Sequence, residues 1–166
     1  MNDTPSLRAR QLRAARLAAI QSVYSHRMVG HDPAALIHHF VESGKIAPLQ
    51  YDDGDEDLTY DPNQPDALDA DFPLFKKLVQ DTIASWDALE QALEAALQQV
   101  QFDGYLPKRE ALLFCVIMVG LSELSRANKA HKIRLINEYV SLASSFYSDK
   151  EAGLVNHFLE SYSKTL

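Results

Sequence analysis

The chain has 166 residues, of which 46% are hydrophobic and 23% are charged, and it contains one cysteine. This composition predicts a single folded domain over residues 1–166 with a buried core, and it excludes a disordered chain. No apolar run reaches the roughly 20 residues of a membrane-spanning helix, and residues 1–7 are not typical of a secretion signal. A lone cysteine excludes an internal disulfide and a cysteine-based zinc site, so we expect a cytoplasmic protein.

The net charge of −7 is distributed unevenly along the chain. Nine acidic residues with no Lys or Arg between them crowd residues 51–71: Asp52, Asp53, Asp55, Glu56, Asp57, Asp61, Asp66, Asp69 and Asp71. Without these nine acids the rest of the chain would carry +2. The N-terminal stretch is positive, with four arginines and no acid among them: Arg8, Arg10, Arg13 and Arg16. The local field is therefore a better guide to binding than the net charge.

Apolar residues recur at helical spacing through most of the chain, and strand alternation is nowhere sustained. The predicted helices cover residues 8–28, 33–43, 72–85, 86–101, 108–127, 132–147 and 150–163. Gly30 ends the first helix, and Asp32 and Pro33 begin the second as its N-cap and first helical residue. Asp71 or its neighbour caps the third. This order predicts an all-α fold, a compact bundle of about seven helices.

Two segments differ from this amphipathic pattern. Residues 45–71 lack periodicity and contain Pro and Gly among the acids, which predicts a solvated acidic loop. This loop is either an insertion without a function or an acidic arm that competes for the N-terminal arginines. Residues 112–121 are almost wholly apolar, so we expect the fifth helix to be the buried centre of the bundle.

Three segments resemble the NusB family of bacterial transcription antitermination factors. Residues 15–24, ARLAAIQSVY, are similar to the family's opening A-R-E-x-A-x-Q-A-L-Y. Residues 121–124, LSEL, and residues 136–143, INEYVSLA, resemble the family's Y-E-L and I-N-E-A-V-E-L-A. Residues 154–159, LVNHFL, resemble F-V-N-G-V-L, and the order and spacing of the segments also agree. The resemblance covers nearly the whole chain except the acidic loop.

The resemblance implies a fold of two packed helical subdomains that binds boxA-like single-stranded RNA together with the ribosomal protein NusE. It implies a role in ribosomal RNA synthesis, an indirect link to the RNA polymerase elongation complex, and no catalysis or cofactor. The chain has Met118 and Gly153 where the family has Arg and Lys, which indicates a divergent member. These losses and the acidic loop favour an alternative, a protein-interaction module that has lost RNA binding. Some family members dimerise, so a homodimer also stays open.

Cationic and aromatic residues supply the candidate RNA contacts. Guanidinium groups pair with phosphates and stack on unpaired bases, and an aromatic ring at a helix end can stack on a base. With the resemblance, the predicted RNA-binding residues are Arg8, Arg10, Arg13, Phe146, Lys132 and Lys150. A solvated basic end and a core-packed Phe146 are the alternatives. Tyr24 matches the tyrosine of the opening motif, which implies a place near the NusE surface, although a core tyrosine would also fit.

Arg16 differs from the other three arginines of the first helix. At about 100° per residue it projects near Leu12 and Ile20, on the buried stripe of that helix. A buried arginine requires a carboxylate partner. We therefore predict a structural Arg16 that is paired with Glu123 or Glu138 from the apolar-rich helices.

Two further sets of polar residues invite an assignment. Asn137 and Asn156 stand beside apolar residues in the sequence, which predicts structural amides bonded to the backbone at helix junctions, with ligand contact as the alternative. Four histidines lie in the first two helices and the turn between them: His26, His31, His38 and His39. The last two are adjacent and face apart on a helix, and the set lacks metalloprotease spacing, so no metal site is expected.

Overall fold

The computed structural model describes residues 5–43, 70–99 and 111–166. These residues form seven helices and no strand, which confirms the all-α prediction: α1 (Leu7–Val29), α2 (Pro33–Ser43), α3 (Phe72–Ala84), α4 (Trp86–Gln99), α5 (Ala111–Arg126), α6 (Lys129–Ser144) and α7 (Asp149–Ser163). The acidic loop predicted at residues 45–71 lies outside the described residues except for Ala70 and Asp71. The end predicted for the fourth helix and the start predicted for the fifth also lie outside them.

The turn between α1 and α2 follows the stop and start signals of the sequence. Gly30 has a φ of 84°, in the left-handed region that glycine tolerates best, and its N–H donates to the carbonyl of His26 at 3.0 Å. Asp32 then caps α2, because its Oδ2 accepts the N–H of Ala35 at 3.0 Å. Both predicted boundaries are confirmed.

Two other N-caps set the starts of α3 and α6. Oδ1 of Asp71 accepts the N–H of Leu74 at 2.8 Å, as predicted for α3. In the loop before α6, Oδ1 of Asn128 accepts the N–H of His131 at 3.2 Å. The sixth helix therefore begins at Lys129, three residues before the predicted start, because the cap precedes the first apolar residue of the stripe.

Helix α5 is the buried centre of the bundle, as the apolar run predicted. It contacts α1, α3, α4, α6 and α7, and its side chains are buried without interruption from Leu113 to Ser122. Gly120 lets α5 approach α6 and α7 closely. A Cβ at this position would lie 3.0 Å from Cδ2 of Leu159 and 3.3 Å from Cγ of Tyr139.

The helices group into two packed subdomains around α5. Helices α1, α2 and α3 contact one another, and α4, α5, α6 and α7 form the second group. Helix α5 joins the groups because it also packs against α1 and α3. Phe40 of α2 stacks on Phe75 of α3 with ring centroids 4.1 Å apart, which closes the first group. None of the helices in the described ranges is long and apolar enough to span a membrane.

Candidate nucleic-acid interface

Arg16 binds Glu123 in a two-pronged ion pair between α1 and α5. Nε and Nη2 of Arg16 donate to Oε2 and Oε1 of Glu123 at 2.9 and 2.8 Å. The two side chains are 11% and 14% exposed. The hydroxyl of Tyr139, a fully buried residue of α6, donates to Oε2 of Glu123 at 2.6 Å. The cluster therefore joins three helices, and Arg16 lies beside one of the two carboxylates that the sequence analysis named.

The electrostatics of this cluster fix its protonation. Burial disfavours the charged form of Arg16, but the hydrogen bonds and charge of Glu123 outweigh burial and hold the pKa of Arg16 above its ordinary value. Burial, and then the negative charge of Glu123, raise the pKa of Tyr139 well above its ordinary value. The phenol therefore keeps the proton that it donates, and Arg16 keeps its charge.

Arg13 joins α1 to α6 through a second set of bonds. Its Nη1 donates to Oε1 of Glu138 at 3.2 Å and to Oγ of Ser141 at 3.1 Å. Its Nη2 donates to the carbonyl of Ser141 at 3.3 Å and to Oγ of Ser145 at 3.2 Å. Glu138, the other carboxylate considered for Arg16, therefore pairs with Arg13. The four Nη hydrogens of Arg13 are engaged within the chain, and its RNA contact stays a prediction.

Arg8 and Arg10, in the first turns of α1, are less constrained. Arg8 forms an ion pair with Asp71, the N-cap of α3, but its side chain stays 64% exposed. Arg10 is half-buried, and within the described residues it makes no ion pair, while its buried Nε has no hydrogen-bond partner. Since Arg10 lies one helical turn before Arg13, both project from the same side of α1. Arg10 is therefore a cation whose charge is not paired with any described carboxylate.

The other candidate RNA residues divide between the two ends of α6. The bond from Arg13 to Ser145 brings the first turns of α1 to the C-terminal end of α6, where exposed Phe146 follows. Lys150 is exposed in the first turn of α7, shortly after Phe146. Lys132 is half-buried near the other end of α6, about 20 Å from Ser145 along the helix axis. The structure therefore places Arg13 near Phe146, leaves Lys132 apart, and holds Arg8 at the start of α3.

The predicted partner-binding tyrosine and the two predicted structural asparagines differ in how far they are buried. Tyr24 is half-buried and packs against the core with part of its surface open. Asn137 is exposed on α6 and Asn156 is half-buried on α7. Neither side chain makes a hydrogen bond in the part of the chain that the structure describes, so the expected backbone bonds are not seen there. Asn137 faces solvent because successive residues of a helix point about 100° apart, away from its buried neighbour Ile136.

A cavity of about 400 Å³ lies between α1, α3, α5 and α6. Leucines form much of its wall, and the Arg16–Glu123 pair lies in its lining. The sequence analysis missed this cavity because the lining comes from four helices that are far apart in the chain. The available signal was the pair of arginines on either side of the turn between these helices, Arg126 at the end of α5 and Arg134 in α6. Among the residues that the structure describes, no group of three or more His, Cys, Asp or Glu side chains could hold a metal ion.

Comparisons with known proteins identify the family of the chain. Residues 13–164 match the sequence profile of the NusB family. The transcription antitermination protein NusB of Sphingopyxis alaskensis is 30% identical over 158 residues, which is 95% of each chain. The protein of the same name from Sinorhizobium fredii is 28% identical over 165 residues, or 99% of this chain and 93% of that one. Because the family match spans nearly the whole chain, the protein belongs to the NusB family.

Proposed function

We propose that the chain is a non-catalytic antitermination factor that binds boxA-like single-stranded RNA together with the ribosomal protein NusE. The observation that carries the proposal is Arg10, a cation that pairs with no described carboxylate and lies one helical turn before Arg13, whose Nη2 reaches Ser145 beside exposed Phe146. Guanidinium donors suit phosphate oxygens, and an exposed ring suits an unstacked base. Family membership and the names of the relatives support the same reading.

The mechanism is one of positioning. Arg10, together with exposed Arg8 and Lys150, contacts the RNA phosphates, and Phe146 stacks on a base. NusE docks on α1 near the open part of Tyr24 and links the RNA to the RNA polymerase elongation complex. The internal bonds of Arg13 and Arg16 keep α1 fixed against α5 and α6, so that the binding side chains are held in place.

A specific observation favours a second candidate, a protein-interaction module without useful RNA affinity. Two of the three candidate arginines, Arg8 and Arg13, are already engaged with acceptors of this chain. A phosphate must displace these acceptors, which lowers the net gain from each contact.

Fluorescence anisotropy of a labelled boxA-like RNA, with and without NusE and across a salt series, tests the proposal. We expect Arg10→Ala to weaken RNA binding roughly tenfold and to reduce the salt slope by about 0.7, because one phosphate contact is lost. Lys164→Ala is the matched control, since Lys164 is an exposed cation at the far end of α7 from Lys150. Equal effects of the two variants contradict the proposed site. NusE binding without RNA binding would favour the protein-interaction module.

A further inference from the structure

We propose that the cavity between α1, α3, α5 and α6 binds one nucleotide unit, with its base against the leucines and its phosphate on Arg126 and Arg134. The choice of a nucleotide as the ligand rests on the proposed RNA function. The nucleotide is either free or part of a strand, and the experiment below separates these two sources.

The charges on one side of the cavity leave a positive surplus. Oδ2 of Asp81 lies 3.1 Å from Nζ of Lys77 and 3.2 Å from Nε of Arg126, so two cations share one carboxylate. Arg134 lines the cavity, is exposed, and makes no ion pair with any described residue. These four side chains therefore carry two positive charges more than negative ones, and His131 beside them adds a further charge when protonated. An anionic group is the ligand that this surplus favours.

The remaining carboxylates of the lining do not oppose an anion. Glu123 is paired with Arg16 and also accepts the Tyr139 hydroxyl. Glu138 is paired with Arg13, which reaches it from α1. Because Glu123 and Glu138 are each paired with an arginine, they do not neutralise the surplus positive charge near Arg126 and Arg134.

Arg16 offers the cavity donors that the ion pair does not use. Its Nε and Nη2 bind Glu123, whereas its Nη1 has no hydrogen-bond partner among the described residues. The side chain is nevertheless largely buried and lines the cavity. A buried guanidinium with spare N–H groups suits the carbonyl oxygens and ring nitrogens on a base edge.

The walls of the cavity suit the flat faces of a base. Four leucines from three helices line it: Leu12, Leu74, Leu78 and Leu135. The lining is mixed, because nine further residues are polar or charged, and a volume of about 400 Å³ is in the range of small-ligand sites. A bare inorganic anion would leave these leucines uncovered, whereas a nucleotide covers them and still presents a phosphate to the arginines.

The cavity and the proposed RNA interface use different sides of α1. Ala9, Leu12 and Arg16 recur at helical spacing and line the cavity, whereas Arg13 bonds to the end of α6 and Arg10 lies one turn before it. A strand held at Arg10 and a nucleotide in the cavity would therefore occupy neighbouring sides of one helix. A substitution in one of these sites is therefore expected to leave binding at the other site intact.

The test uses amide ¹H–¹⁵N spectra of the full chain, titrated with inorganic phosphate, with each nucleoside 5′-monophosphate and with boxA-like RNA. We expect saturable shifts at the amides of Leu78, Arg126 and Leu135 with at least one mononucleotide or with the RNA, and smaller shifts with phosphate. Arg134→Ala should weaken this binding roughly tenfold. Lys129→Ala is the matched control, because Lys129 is an exposed cation on the same helix outside the cavity.

The outcomes separate the two sources and the two proposals. Shifts with free mononucleotides indicate an independent nucleotide site, and shifts with RNA alone indicate a nucleotide of the strand. RNA binding that depends on Arg10, with the cavity amides unchanged by the RNA and by every mononucleotide, overturns the cavity proposal and keeps the proposed function. Mononucleotide binding at the cavity without RNA binding keeps the cavity proposal and overturns the proposed function. Equal effects of Arg134→Ala and Lys129→Ala also overturn the cavity proposal.

Discussion

Arg16 and Arg10 lie on the same helix, six residues apart, in opposite surroundings. Arg16 is largely buried and binds Glu123 through two short hydrogen bonds, whereas the buried Nε of Arg10 has no partner in the described residues. The difference comes from the neighbours, since α5 presents the carboxylate of Glu123 to Arg16. The arginines of α1 therefore differ in role: Arg16 holds helices together, whereas Arg10 pairs with no described carboxylate.

The largest expected effect is on stability, from Arg16→Ala. This change leaves Glu123 nearly buried with only the Tyr139 hydroxyl as a partner, so we expect the free energy of unfolding to fall by about 3 kcal/mol. Urea denaturation followed by circular dichroism measures it. The triple variant Arg16→Met with Glu123→Leu and Tyr139→Phe is the control and should recover most of the loss, because it removes both charges and the buried hydroxyl that would lose its acceptor. An Arg16→Ala protein as stable as the parent would show that the pair does not hold α1.

A smaller effect is expected for Arg13→Ala. Arg13 makes four longer bonds to α6 and its neighbours but is 25% exposed, so water replaces part of what is lost. We expect a loss of about 1–2 kcal/mol in the same denaturation experiment. Arg13→Lys should lose nearly as much stability, since the single ammonium of lysine cannot donate to all the acceptors that the planar guanidinium reaches. A loss equal to that of Arg16→Ala would contradict the link between burial and structural role.

Local patterns predicted the helices well, because amphipathic spacing and N-caps are properties of short segments. Asp32 and Asp71 cap α2 and α3 as expected. The start of α6 was predicted too late because the apolar stripe begins after the Asn128 cap. The acidic loop could be placed by composition alone, and it lies mostly outside the described residues.

Predicting the site required the register between distant helices, which no local pattern contains. The burial of Arg16 followed from spacing, and the need for a carboxylate followed from burial, but Glu123 and Glu138 could not be separated. Arg13 bonds to residues more than 120 positions away, so its partners had no signal in the sequence. The expectation for Asn137 assumed that a residue next to a buried one in the sequence is itself buried, whereas Asn137 is exposed. The same limitation hid the cavity.

The smallest expected effect comes from substitutions of Asp71, which has both a structural contact and a contact with an exposed arginine. Asp71 caps α3 and also pairs with exposed Arg8. Asp71→Ala removes both interactions and should lower the unfolding free energy by about 1 kcal/mol, whereas Asp71→Ser keeps a cap and should cost less than about 0.5 kcal/mol. Both variants release Arg8, so RNA affinity measured by anisotropy should rise by about two- to threefold.

The control for Asp71 is Asp87→Ser, which removes an exposed carboxylate from the first turn of α4 and so matches the change in net charge. If Asp71→Ser raises RNA affinity and Asp87→Ser does not, the gain belongs to Arg8 and not to the overall charge. If the two variants behave alike, Arg8 contributes no specific contact. The RNA-binding part of α1 would then begin at Arg10, and the pair of Arg8 with Asp71 would serve only to hold α3 against α1.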